Sequence, residues 1–352
     1  MRLAFVLSSF QLSGGVMLVA EYANRLSQRG HVISLVIPAG TLDPAMAAML
    51  MPAVQVVESR SSLAGSRSPA GWLRLATSLA QAIPPVDTII ATHTPTVVPT
   101  LWAAARRRQT ACAWLYMDYD AMFDRRPIER YLLHAAPRWF DVVMTISEPL
   151  AVAARKDKPR CVVVTGSGLA RAEFFVNQPH LARQDQDRCV MYVGDQRPRK
   201  GLHDLLDAAQ MIQAGVPGLR LVLASKQPLT VETPVPTEIH VHPSDQRLSE
   251  LYRSSDLFVS ASWGEGLGYP PLEAMACGTP VVLTDSEGVR DYARSGENCL
   301  IVPPRNAPAL ASAMLRILTD PGLAQRLVAG GYATVAHYDW ETVADRVEAA
   351  LA

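Results

Sequence analysis

Short, unbroken apolar runs alternate along this chain with longer stretches whose apolar residues recur every three or four positions. Leu3-Ala4-Phe5-Val6-Leu7 is the first run, and continuous hydrophobicity over so few residues fits a strand covered on both faces. Residues 16–29 follow with Val19, Ala23 and Leu26 at helical spacing, and Gly30 supplies a stop. Residues 32–37 are the next apolar strand, closed by Pro38. Further strands are expected at 88–91, 111–116, 142–146 and 161–165, with Ser147 suited to cap the helix after the third of these. Strand, helix and strand in steady alternation predict an α/β fold built on a doubly wound parallel sheet.

The rhythm breaks between 177 and 188, where the chain is polar, contains a proline and has no hydrophobic period. A linker is therefore expected near 175–188. A second pattern of the same kind begins with a strand at 190–194 and a helix at 202–214. Strands at 219–224 and 239–242, a helix at 246–253 and a strand at 256–260 continue it. The stretch Trp263 to Val282 comes next: a glycine loop, a helix begun by Pro270-Pro271 and ended by Gly278, and a strand at 280–283. After it come a strand at 299–302 and helices at 307–318, 322–333 and 341–351, the last with Val343, Val347 and Leu351 spaced by four. The expected organisation is an N-terminal Rossmann-like domain over 1–175, a C-terminal one over 176–335, and a closing helix within 336–352. That helix either packs on its own domain or returns to the first.

Composition narrows the function. Lys plus Arg equals Asp plus Glu at 33 each, so no bulk charge argues for nucleic acid. Arg106-Arg107-Arg108 is a basic run that reads as a solvated face or as a contact for anionic headgroups. Cys112, Cys161, Cys189, Cys277 and Cys299 are odd in number, widely spaced and set in or beside apolar runs, as reduced core thiols would be. The run at 3–7 is too short for a signal-peptide core, and no apolar run approaches a bilayer span. A cytoplasmic protein is expected, with any membrane contact peripheral and on the inner face.

Candidate chemistry gathers on loops that follow strands. Ser13-Gly14-Gly15 lies between the first strand and first helix, where open α/β sheets bind ligands. Paired glycines there either make a plain tight turn or let the backbone approach an anionic group. Asp118-Tyr119-Asp120 follows the strand at 111–116, and its acids either orient a polar substrate or cap a helix. In the second half, Arg197, Arg199 and Lys200 sit on the loop before a helix, a place suited to a diphosphate. Glu265 lies between glycines in a loop, whereas Glu273, read as lying in the first helical turn, is partly explained by the helix dipole. Two carboxylates that can each take a pair of hydroxyls, beside phosphate-binding donors, describe a pocket for a nucleotide-sugar.

With Glu265-x7-Glu273 set in Gly-Glu-Gly-Leu-Gly-Tyr-Pro-Pro-Leu-Glu-Ala-Met-Ala-Cys-Gly-Thr-Pro-Val-Val, the chain resembles glycosyltransferase family 4, retaining transferases of GT-B fold. Ser13-Gly14-Gly15, Lys200-Gly201 and Tyr252 to Asp256 support the resemblance, which extends over essentially the whole length and includes rhamnosyltransferase-like and mannosyltransferase-like members. It implies two Rossmann-like domains facing a cleft. It further implies that Glu265 meets the donor sugar and Glu273 the ribose, with the amides of Gly266, Leu267 and Gly268 near sugar and phosphate. Lys200 with Arg197, preferred over Arg199, would neutralise the diphosphate, so no metal and no cofactor beyond the donor is expected. Gly14 and Gly15 would close over the leaving group, and the base would sit near His242. The implied activity is transfer of a sugar to a glycan, glycolipid or small-molecule acceptor, as in polysaccharide biosynthesis.

Two departures from the family pattern stand out. Asp195 follows the strand glycine where an arginine is common, and Met117-Asp118 stands where a histidine is common. Asp118 is therefore a candidate for contact with sugar or acceptor. The same departures motivate a second reading, a catalytically silent GT-B protein that binds sugar nucleotides or scaffolds a complex.

Overall fold

The computed structural model describes residues 1–63, 68–123, 126–169, 172–176 and 187–352. The chain forms two compact units, Met1–Ala170 with Asp339–Ala352, and Arg171–Tyr338. Most of the linker expected at 175–188, and Asp124 and Arg125 after β5, lie outside the described residues.

The first unit runs β1 (Arg2–Val6), α1 (Gly14–Gln28), β2 (Val32–Ala39), α2 (Pro44–Ala48), β3 (Gln55–Ser62), α3 (Pro69–Ala82) and β4 (Thr88–Ala91). It continues with α4 (Val97–Ala105), β5 (Ala111–Tyr116), α5 (Pro127–Ala135), β6 (Val142–Thr145), α6 (Glu148–Arg155) and β7 (Val162–Val164). The strands make one parallel sheet in the order β3-β2-β1-β4-β5-β6-β7. The second unit holds α7 (Ala172–Phe175), β8 (Arg188–Val193), α8 (Leu202–Ile212), β9 (Leu219–Ser225), β10 (Thr237–Val241), α9 (Asp245–Arg253) and β11 (Leu257–Ser260). Then come α10 (Tyr269–Ala276), β12 (Val281–Thr284), β13 (Leu300–Val302), α11 (Ala307–Thr319) and α12 (Pro321–Val335). Its parallel sheet is ordered β10-β9-β8-β11-β12-β13. The doubly wound α/β architecture expected from the apolar runs is what the chain adopts, once in each unit.

The central strands explain their own legibility. Leu3, Ala4, Phe5 and Val6 of β1 are fully buried, as are Ile89, Ile90 and Ala91 of β4, because helices cover both faces of a parallel sheet. Where sequence and structure differ, the cause is local. Pro38 does not end β2; the strand passes through it to Ala39, and the ladder to β3 shifts register between Ile37 and Ala39 to absorb the missing N–H. Ser147 occupies the N-cap of α6, but its hydroxyl is buried and makes no hydrogen bond. Four cysteines are buried as expected, whereas Cys161, just before the edge strand β7, is exposed.

A final helix, α13 (Trp340–Leu351), belongs to the first unit. Its Trp340 indole donates to the Leu169 carbonyl at 3.0 Å and packs edge-on against Tyr22, ring centroids 5.7 Å apart. Arg29, at the end of α1, reaches Glu341, Asp345 and Glu348 at 2.8, 2.6 and 2.8 Å. The helix is thus anchored by one buried aromatic and one guanidinium shared among three carboxylates.

Candidate functional site

β8 and β11 are neighbours where the strand order of the second sheet reverses. The crevice at the carboxyl ends of such strands is where open α/β sheets take ligands. Both loops singled out in the second half start there. The first passes through a short 3-10 turn, Pro198–Lys200, and ends at Gly201. Gly201 has φ of +65°, and a Cβ on it would lie 1.9 Å from the Ala261 carbonyl oxygen. Any side chain would force the two loops apart.

Four further contacts hold the loops in place, one of them from loop to loop. The Trp263 amide donates to the Arg199 carbonyl at 2.7 Å, and the Tyr192 hydroxyl to the Lys200 carbonyl at 3.1 Å. The Trp263 indole donates to Asp204 at 2.7 Å, and the Arg305 guanidinium covers its ring, 4.2 Å from the centroid. This frame brings Lys200 Nζ to 2.6 Å from Glu265 Oε1, with both side chains only about 15% exposed (15% and 16%). Arg199 lies 3.9 Å from the other Glu265 oxygen and donates to the Gly264 carbonyl at 3.1 Å.

Arg197 points elsewhere. It grips Asp195 with two side-chain hydrogen bonds of 2.8 and 2.6 Å, and its amide adds a third at 2.9 Å. Burial disfavours the Asp195 charge, but the hydrogen bonds from Arg197 prevail and hold the carboxyl below its ordinary value. Of the two arginines weighed in the sequence, Arg199 is therefore the one placed at Glu265.

The Glu265 backbone pairs with Glu287 in an isolated parallel bridge, its amide donating to the Ser286 carbonyl at 3.0 Å. The next three amides, of Gly266, Leu267 and Gly268, have no protein acceptor among the described residues, and α10 begins at Tyr269. Amide donors at a helix start, with Lys200 and Arg199 alongside, form a site for an anion. Glu273 is the fifth residue of α10, not part of its first turn as the sequence reading had it. The dipole effect fades within that turn, so it does not account for the carboxylate. Glu273 is 3% exposed and accepts a hydrogen bond from the Tyr252 hydroxyl at 2.9 Å. Tyr252 is itself held between Phe175 and Phe258, at centroid distances of 5.9 and 5.4 Å. His242 is exposed just past β10 with φ of +50°, its amide donating to the Ser225 carbonyl at 2.8 Å.

In the first unit, Gly14 and Gly15 are the opening residues of α1, capped by Ser13, whose hydroxyl accepts from the Val16 amide at 3.3 Å. A Cβ on Gly15 would lie 2.9 Å from His93 Nε2 and 3.2 Å from Met117 Sδ. Gly15 is thus closely approached by side chains that follow β4 and β5, and a Cβ there would have to displace the tips of His93 and Met117. Asp118 accepts both the Thr94 amide and hydroxyl at 2.8 Å, which pins the 3-10 turn Thr94–Thr96. Asp120 pairs with Arg130 and His134 at 2.5 and 2.8 Å. The basic run is mostly committed: Arg107 donates to the Ile83 and Pro84 carbonyls at 2.6 and 2.7 Å, and Arg106 stacks on Trp102. Among the described residues no three His, Cys, Asp or Glu side chains gather as metal ligands do, and no helix is long and apolar enough to cross a membrane.

Three parts of this geometry were not read from the sequence: the Tyr252 donor to Glu273, the capture of Arg197 by Asp195, and the Trp263 strut. No spacing rule marks a tyrosine 21 residues upstream as a carboxylate's partner. Asp195 beside Arg197 could have been read as a local pair.

Residues 174–334, which contain every feature of the second-unit site, match the family described as Glycosyl transferases group 1. That segment is similar to a group 1 glycosyltransferase domain. Among curated proteins, this chain is 31% identical over 193 residues to a phosphatidyl-myo-inositol mannosyltransferase of Mycobacterium leprae, covering 52% of this chain and 50% of that protein. A putative glycosyltransferase EpsD of Bacillus subtilis is 26% identical over 277 residues, covering 71% of this chain and 72% of its own. The chain spans about half the length of the mannosyltransferases it matches. The fold extends further than the group 1 match. Sucrose-phosphate synthase from Thermosynechococcus elongatus has a TM-score of 0.82 at 17% identity, over 99% of this chain and 97% of that one. Anabaena HepE in complex with UDP and glucose has a TM-score of 0.77 at 19% identity, over 100% and 99%. The two Rossmann-like sheets are those of the GT-B class.

Proposed function

We propose that this chain is a glycosyltransferase that moves a sugar from a nucleotide-sugar donor, with retention and without a metal ion. The observation that carries the reading is the Lys200–Glu265 pair at the switch point, flanked by Arg199 and the acceptor-free amides of Gly266 to Gly268. A donor has a dianionic diphosphate between two groups of hydroxyls. Lys200, Arg199 and the amides meet the diphosphate, which supplies the neutralisation a metal would otherwise give. Glu265 takes hydroxyls of the sugar, and Glu273, oriented by Tyr252, takes those of the ribose. The turn carrying His242 lies beyond β10 and is assigned to the base. In the first unit the opening amides of α1 at Gly14 and Gly15 form a second anion-binding helix start, and Asp118 holds the neighbouring turn in place.

The acceptor is a glycan, glycolipid or small glycoside, as in the making of surface polysaccharides on the cytoplasmic side of a membrane. The relatives named for lipid-linked and other glycosyl transfer support that range. The silent alternative rests on Asp195 and Met117, and no contact of either residue favours it; Asp195 serves a salt bridge that leaves Lys200 and Arg199 in place. The test is incubation with UDP-, GDP-, ADP- and dTDP-sugars in EDTA, followed for binding and for release of nucleoside diphosphate. Slow donor hydrolysis that survives EDTA and disappears in Glu265→Gln is expected. Failure to bind any nucleotide would overturn the reading, and an inverted anomer in the product would overturn retention.

A further inference from the structure

The order β5-β6-β7 in the first sheet places two successive crossovers on one side. Right-handed connections between parallel neighbours running in one direction put α5 and α6 on the same face. A hydrogen bond joins them: His134 of α5 reaches Asp157, in the turn after α6, at 3.0 Å. Asp120 accepts two hydrogen bonds from Arg130 and pairs with the His134 ring, which holds the preceding 3-10 turn, Asp120–Phe123, against α5. The outer surface of these elements is therefore continuous.

Its composition is unusual for a solvated face. Ile128 and Tyr131, three residues apart on α5 and so on one side of it, are 62% and 67% exposed. Trp139 follows at 46%, and Val152 on α6 stands at 50%. Large apolar side chains gathered in one region are a sign of a contact surface. Around them the charge is lopsided. Residues 126–160 contain seven Lys or Arg against four Asp or Glu, in a chain of formal net charge +0. Arg155 and Arg160 are paired with Glu148 and Asp141. Arg138, Lys156 and Lys158 are exposed and have no acidic partner among the described residues. The His134 ring, bonded to Asp120 and Asp157, is held above its ordinary pKa and adds to the positive character.

We infer that the outer face of α5 and α6 is a docking surface for an anionic lipid bilayer. Tyrosine, tryptophan and aliphatic side chains among unpaired cations suit the bilayer interface, where the rings and alkyl groups enter the headgroup region and the cations meet lipid phosphates. A second copy of the chain is disfavoured as occupant, because a two-fold contact would oppose this basic face with itself. The inference stands on the first unit alone and does not depend on the donor-site reading. It also moves any membrane contact away from Arg106-Arg107-Arg108, two of whose side chains are engaged within the protein.

The test is co-sedimentation of the full chain with vesicles of phosphatidylcholine alone or mixed with phosphatidylglycerol, at rising salt. Binding to the anionic vesicles only, weakened by salt, is expected. The double variant Ile128→Ser/Tyr131→Ser should lower partitioning by about tenfold through lost apolar burial, and the double variant Arg138→Glu/Lys156→Glu by about thirtyfold or more through the loss of two cations. Tyr131→Phe should retain it, and all variants should keep the parental unfolding midpoint. No sedimentation with anionic vesicles would overturn the inference. So would binding that survives the apolar variant, which would mean electrostatic adsorption without docking. Light scattering that showed a dimer dissociated by Ile128→Ser/Tyr131→Ser would assign the face to self-association instead.

Discussion

If the proposed function holds, replacing Glu265 by Gln should tighten nucleoside diphosphate binding while abolishing sugar transfer. Glu265 occupies the cation that a diphosphate needs, with Lys200 Nζ at 2.6 Å and Arg199 at 3.9 Å. Two unit charges about 4 Å apart attract by about 4 kcal/mol at an effective dielectric of about 20. Solvation of the separated ions offsets most of this, which leaves a net of about 1 kcal/mol for a pair that is not wholly buried. Glutamine keeps the shape and can still accept a hydrogen bond, but it releases that charge and also ceases to repel the incoming diphosphate. A gain of about 1.4 kcal/mol is tenfold in affinity, so tightening by roughly fivefold to tenfold is expected for the diphosphate without its sugar. The complete nucleotide-sugar also loses hydrogen bonds between the carboxylate and its hydroxyls, about 1.5–3 kcal/mol for charged partners, so its affinity should stay level or fall. Isothermal titration of both ligands against parent and variant reads the two effects separately. Lys200→Met serves as the opposite control and should lose diphosphate affinity. Unchanged or weaker diphosphate binding by a folded Glu265→Gln protein would refute the argument that the pair competes with the ligand.

Arg199→Ala should weaken nucleoside diphosphate binding by about tenfold, the scale of one charge-assisted contact, and Arg197→Ala by much less, since Arg197 is spent on Asp195; titration of both variants decides between them. Trp340→Ala should cost about 3–5 kcal/mol in urea unfolding, because it empties a buried aromatic site against Tyr22 and removes the donor to Leu169. His134 gives a pH signature. Its hydrogen bond to Asp120, aided by Asp157, outweighs partial burial and lifts the ring above the ordinary 6.5, so its contribution is complete below 6.5 and is lost as pH rises through the elevated value. The unfolding midpoint should therefore fall as pH rises from 6.5 through the elevated value, and His134→Gln should flatten that slope.

What the chain reveals before folding depends on how many neighbours each element needs. β1 and β4 are legible because both of their faces are buried, which leaves an unbroken apolar run whatever the partners are. β3 was not read as a strand, since Gln55-Val56-Val57-Glu58-Ser59-Arg60-Ser61-Ser62 is a sheet-edge sequence, where one flank of the backbone faces no strand and polar side chains are tolerated. The same distinction runs through the candidate site. A glycine loop after a strand, or cations before a helix, can be recognised locally, because strand and helix termini themselves create the site. Which arginine faces Glu265 cannot, because it is set by side-chain pairing in three dimensions. Asp195 makes the point. In the sequence it looked like the loss of a cation from the diphosphate loop and a reason to suspect a silent protein. In the structure it draws Arg197 into a bidentate pair, while the carbonyl of Arg199 is fixed by the Trp263 amide and its guanidinium lies toward Glu265. The loop thus keeps two cations at the carboxylate, and Asp195 determines which two.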